Sequence, residues 1–281
     1  MIPQEFDYSA PATLQEALQT IAEGDRKVLA GGMSLIPLMK LRLAMPEHVV
    51  DLGRVPDLNH ISESAGVLHI GAMATHHDIE TSPLIRGRCP LLAEAASHIG
   101  DTQVRNRGTI GGSTAHADPA ADYPAALLAL EAQVRVASAK SDRIIAVQDF
   151  FLDPFTTAMK PGEIIVEVLV PAEPGSEGHR YEKLPHPASG FAITGIAARI
   201  QKTGGKISLA RIGVTGFGPH AFRAIEAEKL LESGAGIDEA AATIGERQEA
   251  NSDLYASADY RRHLARVWAR RALSVALSRA S

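Results

Sequence analysis

Two glycine doublets, far apart along a chain of 281 residues, have the residue types and spacing best suited to chemistry. The first is Ala30-Gly31-Gly32-Met33-Ser34-Leu35. The second is Gly108-Thr109-Ile110-Gly111-Gly112-Ser113-Thr114-Ala115-His116, followed by Ala117-Asp118-Pro119-Ala120-Ala121-Asp122. Consecutive glycines let the backbone take positive φ and turn successive N–H groups toward one point. With no Cβ in the way, a pyrophosphate can approach the main chain closely. Ser34, Thr109 and Ser113 add hydroxyl donors suited to a phosphate rim. A helix starting after Gly31-Gly32 adds the positive end of its dipole. Two such loops can clasp one elongated dinucleotide between two subdomains. Neither is the G-x-G-x-x-G fingerprint, and either doublet taken alone also fits a tight turn. Asp118 and Asp122 would repel phosphate and suit hydrogen bonds from sugar hydroxyls; they equally suit opening and capping a following helix.

The surrounding pattern predicts the elements that position these loops. Thr13 and Glu16 stand as a capping box before Leu14, Ala17, Leu18 and Ile21 at helical spacing, with Gly24 placed as a stop. Lys27 to Ala30 predicts a short buried strand running into the first doublet. A helical segment around Leu35 to Leu43 and a strand over His48 to Leu52 complete a small unit ending before Pro56. A second unit opens with a strand at Val67 to Ala72, a helix start at Thr75 and Asp78, and a helix from Pro90 to about Ile99. Gly100 to Asp122 reads as irregular, polar and glycine-rich. Pro124 to Leu130 predicts a helix, Val134 to Ala137 and Ile144 to Val147 predict strands, and Glu163 to Pro171 is a strong strand stopped by proline.

The stretch 172–178 (AEPGSEG) has linker composition. It divides the chain into 1–173, with subdomains of about 1–55 and 56–173, and 174–281. Beyond it come strand candidates at His179 to Leu184, Ala192 to Ile200 and Ile207 to Phe217, with Gly204-Gly205 as a hairpin signal. The last helix carries Tyr260, Leu264, Val267, Trp268, Arg271 and Val275 at helical spacing. Three strands followed by helices predict an α+β C-terminal domain.

Composition excludes several functions. A net charge of −5, with basic residues spread along the chain apart from a C-terminal cluster, argues against nucleic acid as the main partner. The arginines at 261, 262, 266, 270, 271 and 279 read as a solvated or subunit-facing helix surface. The single cysteine, Cys89, cannot hold an iron–sulfur cluster, which takes four thiolates, so any cluster belongs to another polypeptide. Cys89 reads as a small core residue, and His76-His77 as two side chains pointing apart rather than metal ligands. The N-terminus lacks a signal-peptide pattern, and no run of about 18 uncharged apolar residues is present. A cytoplasmic location without membrane insertion is the expectation.

At this point a resemblance enters. AGGMSLIPLMKLR (Ala30 to Arg42) and VRNRGTIGGSTAHADPAADYPAALLAL (Val104 to Leu130) resemble the two FAD loops of one family. It is the flavoprotein, or medium, subunit of the carbon monoxide dehydrogenase / xanthine dehydrogenase family of molybdenum hydroxylases. The likeness extends through Thr75 to Ile85, the strand ending at Pro171, and Tyr181 to Ile193, so it covers essentially the whole chain. It implies an α+β fold: a two-subdomain FAD-binding domain of the vanillyl-alcohol-oxidase (PCMH-like) type, then a small flavoprotein domain with a three-stranded sheet and helices.

The same resemblance implies a site. Val28, Leu29, Ala30, Gly31, Gly32, Met33, Ser34 and Leu35 would line the adenine–pyrophosphate side of a non-covalent FAD. Thr109, Gly111, Gly112 and Ser113 would contact pyrophosphate and ribityl. His116 and Asp122 match positions close to the flavin and its sugar chain, Ile165 an apolar residue beside the ring system, and Lys183 a contact near it. No catalytic acid, base or nucleophile is implied. The resemblance further implies a large molybdenum–pterin subunit, a small [2Fe-2S] subunit, a dimer of such three-subunit units, and an external electron acceptor. The segment after Lys183, Leu184 to Gly190, departs from the charged stretch of many relatives; His186 there either substitutes or is a loop residue. Two further readings of the residues stay open: a stand-alone FAD-dependent oxidoreductase, and a non-catalytic interaction or assembly protein.

Overall fold

The computed structural model describes residues 1–172 and 175–281; the boundary expected at 173–174 lies outside the described residues. The elements, in chain order, are β1 (Asp7–Ser9), α1 (Leu14–Ile21), β2 (Arg26–Leu29), α2 (Leu35–Lys40) and β3 (His48–Asp51). Next come β4 (Ile61–Ser64), β5 (Val67–Gly71), α3 (His76–Thr81), α4 (Pro83–Arg88), α5 (Pro90–Ser97), α6 (Thr102–Arg105), α7 (Ile110–His116) and α8 (Asp122–Ala129). Then follow β6 (Gln133–Ala137), β7 (Asp142–Ala146), β8 (Phe151–Asp153), β9 (Thr156–Thr157) and β10 (Ile164–Pro171). The rest comprises β11 (Gly178–Pro185), β12 (Ala192–Thr203), β13 (Lys206–Thr215), β14 (Phe222–Arg223), α9 (Ile225–Glu232), α10 (Ile237–Ala242) and α11 (Ala258–Arg279).

Three larger sheets and a two-stranded β8–β9 ribbon organise the described elements. β1, β3 and β2 form a small parallel sheet in that order. The order β4-β5-β10-β6-β7 makes an antiparallel sheet, and β11-β12-β13-β14 a second one. The three long C-terminal strands are those expected, joined by a two-residue fourth. Gly204 and Gly205 turn the β12–β13 hairpin, both at positive φ as a two-residue turn requires. The predicted N-terminal caps hold: Thr13 Oγ1 accepts from Glu16 N–H, and Thr75 with Asp78 forms a complete capping box.

β10 is the spine, since both its faces are covered. Ile164 and Val166 pack with Ala17, Leu18 and Val50 of the first unit, whereas Ile165, Val168 and Val170 pack with Leu68, Ile70, Val134 and Val136. This double burial is why it reads as an unbroken apolar run. α8 is buried on every side and lies between this core and the C-terminal sheet. A Cβ on Gly213 of β13 would fall on the Ala125 carbonyl of α8, so helix and strand meet backbone to backbone. The other face of the C-terminal sheet, with Ile196, Ile200, Ile212 and Val214, is closed by α9, α10 and α11.

Several expectations are corrected here. β2 is an edge strand whose residues are half-exposed or, at Lys27, exposed rather than buried. Gly100 to Asp122 is not irregular: it holds α6 and α7, with Asp101 and Thr109 as their caps. In α11 the buried stripe is Arg261, Leu264, Ala265, Ala269, Ala272, Leu273 and Ala276, so Tyr260 and Arg271 face outward. Alanines let this helix approach the sheet closely, and a Cβ on Gly178 would strike the Ala276 carbonyl. Arg261, expected on a solvated or subunit-facing surface, is buried, donating to the Ile193 and Gly216 carbonyls and to Asp253.

Candidate functional site

The two glycine stretches meet. Gly31 packs so tightly on the second stretch that an added Cβ would fall on the Arg107 carbonyl oxygen, and a Cβ on Gly112 would lie 3.5 Å from the Ala30 methyl. They are not, however, the same kind of device. In the first, Gly32 turns at φ +76, and no described hydrogen bond to protein uses the N–H groups of Gly31, Gly32, Met33 or Ser34. Ser34 opens α2 without its hydroxyl capping the helix. Half-exposed Val28, Leu29, Ala30 and Leu35 flank these open donors with apolar surface. The turn thus has the uncommitted amides that an anion site requires, beside an apolar wall.

In the second stretch the expected amide nest is absent. Gly111 and Gly112 lie in the first turn of α7 with helical rather than positive φ. Their amides are committed: Ile110 N–H donates to Ala74 O at 3.0 Å, Gly111 N–H to Ala72 O at 2.9 Å and Gly112 N–H to Thr109 Oγ1 at 3.1 Å. Packing explains the glycines instead, because a Cβ on Gly111 would meet the Ala72 methyl at 2.5 Å. Gly108 likewise rests against the His76 ring, where a Cβ would lie 2.5 Å from Nε2. The second turn thus offers a bare surface and hydroxyls, with Ser113 half-exposed and Thr109 buried.

The remaining site residues fall into separate places. Asp122 and Lys183, from different sheets and helices, form a buried ion pair at 2.9 Å. Lys183 Nζ also donates to the His98 and Gly190 carbonyls, each at 2.7 Å, and Tyr181 donates its hydroxyl proton to Asp122 at 2.5 Å. Burial pushes the Asp122 carboxyl up to about 6, against the pull of the Lys183 ammonium and the Tyr181 hydroxyl. His116 ends α7 with its ring 5.1 Å from that of Phe155; burial lowers its pKa, partly offset by Asp118. Ile165 is enclosed in the core of the five-stranded sheet. His186 orders its own loop, its Nδ1 accepting from the Ala188 and Ser189 amides, so it is a loop residue. Cys89 is buried in the same core as Ile165, while His76 is buried and His77 exposed. The reading of residues in isolation missed Tyr181 and His76. Tyr181 and Lys183 share one face of β11 by the period of two, the one signal that paired them.

Comparison with known proteins completes the picture. Residues 4–173 match the family described as FAD binding domain in molybdopterin dehydrogenase, and residues 179–276 the CO dehydrogenase flavoprotein C-terminal domain. The chain is 39% identical over 285 residues to the carbon monoxide dehydrogenase medium chain of Hydrogenophaga pseudoflava, covering 99% of each. It is also 39% identical to the 6-hydroxypseudooxynicotine dehydrogenase complex subunit alpha of Paenarthrobacter nicotinovorans, covering 100% of this chain and 97% of that one. The solved structure of carbon monoxide dehydrogenase from Hydrogenophaga pseudoflava superposes with a TM-score of 0.97 at 41% identity over the full length of both chains. That of quinoline 2-oxidoreductase from Pseudomonas putida 86 gives 0.94 at 34%, covering 100% of this chain and 99% of that one. The fold and site therefore define an FAD-binding oxidoreductase subunit. The chain belongs to the medium, FAD-binding subunits of the carbon monoxide dehydrogenase family of molybdenum hydroxylases.

Proposed function

We propose that this chain is the electron-transfer subunit of a three-component hydroxylase. Bound FAD supplies the redox chemistry that accepts electrons from [2Fe-2S] clusters on a small subunit and delivers them to an external acceptor. Val28 to Leu35 hold the adenine–pyrophosphate side, through the open amides of Gly31 to Ser34. Thr109, Gly111, Gly112 and Ser113 let the pyrophosphate and ribityl lie close on the second turn. Asp122 and Lys183 fix the neighbourhood of the ring, with His116 and Ile165 beside it. Because Lys183 spends its donors on Asp122, His98 and Gly190, it acts chiefly by holding the 185–191 loop in place.

The division at 173–174 between an FAD-binding domain and a flavoprotein domain belongs to the same reading, as does a cytoplasmic dimer of three-subunit units with a large molybdenum–pterin partner. One cysteine cannot hold a cluster, so the clusters sit on a partner. Among the described residues no helix is long and apolar enough to cross a membrane. The observation that carries the proposal is the row of uncommitted amides at Gly31 to Ser34, in a turn where Gly31 packs on Arg107 and Gly108 and Ala30 faces Gly112. The test is purification of the chain expressed with its encoded neighbours. A yellow preparation with FAD bound and two copurifying subunits is expected. A colourless chain that refuses FAD on reconstitution refutes the assignment.

A further inference from the structure

One ion cluster has no part in the cofactor contacts above. Glu167 of β10 is buried, with only 5% of its side chain exposed, in a strand otherwise built of apolar residues. His60 Nε2 lies 2.7 Å from its Oε1, and His69 Nδ1 and Arg135 Nη2 each lie 3.3 Å from its Oε2. His60 Nδ1 sits 3.0 Å from the Asp57 carbonyl, so the ring bridges its own loop to the carboxylate. The irregularity between Ile165 and Glu167 creates this arrangement. Ile165 and Val168 share one core, which strict alternation forbids, and the bulge leaves Val166 and Glu167 both facing away from that core.

The cluster connects through the backbone to the second glycine stretch. The chain leaving the first unit is stitched to the end of β5: Gly71 N–H donates to His60 O at 2.8 Å and Met73 N–H to Leu58 O at 2.7 Å. A Cβ on Gly71 would fall on the Leu58 carbonyl, so nothing separates the two segments. The next residues, Ala72 and Ala74, accept the Gly111 and Ile110 amides of the second turn. Three segments therefore lie edge to edge, and Glu167 grips the outermost from the neighbouring strand. Stability alone does not call for such a group, because a buried ion pair is often no better than a well-packed apolar one. A metal role is not supported either: among the described residues no group of three ligating side chains converges on a point.

We infer that Glu167, with His60, His69 and Arg135, is a positioning clamp that holds the tail of β5 on which the second glycine turn is hydrogen-bonded, and so sets the affinity for the dinucleotide. The inference rests on the FAD reading proposed above. The test is FAD titration of the full-length apoprotein, read by flavin fluorescence, beside thermal melts of each apoprotein. Glu167→Gln and His60→Phe are expected to raise the FAD dissociation constant about tenfold while the melting midpoint holds. His60→Lys, which returns a cation to Glu167, is expected to recover most of that affinity. His60 is 38% exposed, so its variants fold even if Glu167→Gln does not. Equal FAD affinity in wild type and variants overturns the clamp, as does a loss that appears only in step with a lower melting midpoint. A wild-type chain that takes up no FAD overturns the underlying reading instead.

Discussion

His76 is 4% exposed, with Nδ1 3.2 Å from the Tyr123 hydroxyl and Nε2 facing Gly108. Burial, and to a lesser degree the Arg105 charge, lowers its pKa from 6.5 to about 4. The unfolded chain therefore takes up a proton near 6.5 that the folded chain refuses until about 4. The folded state is favoured in full above 6.5 and loses about 3 kcal/mol as pH falls through that window. Asp122 works the other way. Its carboxyl is raised from 3.8 to about 6, so the folded chain holds the proton more tightly and gains stability as pH falls through that range. Replacing His76 by Gln is expected to remove the acid-side loss. Urea titrations at several pH values check this: the variant should gain on wild type steadily between pH 6.5 and 4. A constant offset between the two proteins would contradict it.

At the scale of elements, α8 and β11 matter most. Asp122 opens α8 and Lys183 lies on β11, and their pair fastens the FAD-binding unit to the C-terminal sheet. Glu94 of α5 strengthens the same seam, accepting from Tyr181 N–H at 2.8 Å and from the Arg180 guanidinium. Removing one partner of a buried pair strands the other in a medium that solvates it poorly. Lys183→Met is therefore expected to cost about 3 kcal/mol, and Tyr181→Phe about 1 kcal/mol, in denaturant unfolding. The seam was half legible in the sequence. Alternation along β11 put Tyr181 and Lys183 on one face, but nothing local says that this face meets Asp122, 61 residues earlier.

For the molecule as a whole, one core crosses the seam. Tyr181, Ala197 and Ala221 of the C-terminal part are packed into the cluster that also holds Leu68, Leu92 and Leu127. Two units sharing a core lose it together, so equilibrium unfolding is expected to be a single cooperative step. The one tryptophan, Trp268, lies on α11 and reports the C-terminal part. Its fluorescence change should coincide with the loss of helical circular dichroism across a urea series. Two separated transitions would show that the parts unfold independently, as loosely joined domains do.

The sequence by itself determined the local elements and marked the two glycine stretches proposed to hold the dinucleotide. Caps, strand runs, the Gly204-Gly205 hairpin and the two glycine stretches depend on a few neighbouring residues, whose preferences act over one turn or one pleat. Only the tertiary structure decided how those pieces are used. Gly31 and Gly32, just past the end of an edge strand, donate their amides in no described hydrogen bond to protein. Gly111 and Gly112, an equally bare doublet, spend theirs: Gly111 on the tail of β5, because the chain packs against Ala72 there, and Gly112 on the Thr109 hydroxyl. The burial of Arg261, the pairing of Asp122 with Lys183 and the clamp on Glu167 are of the same kind. Whether a polar group is spent or free depends on which distant segment arrives beside it, and no local preference encodes that.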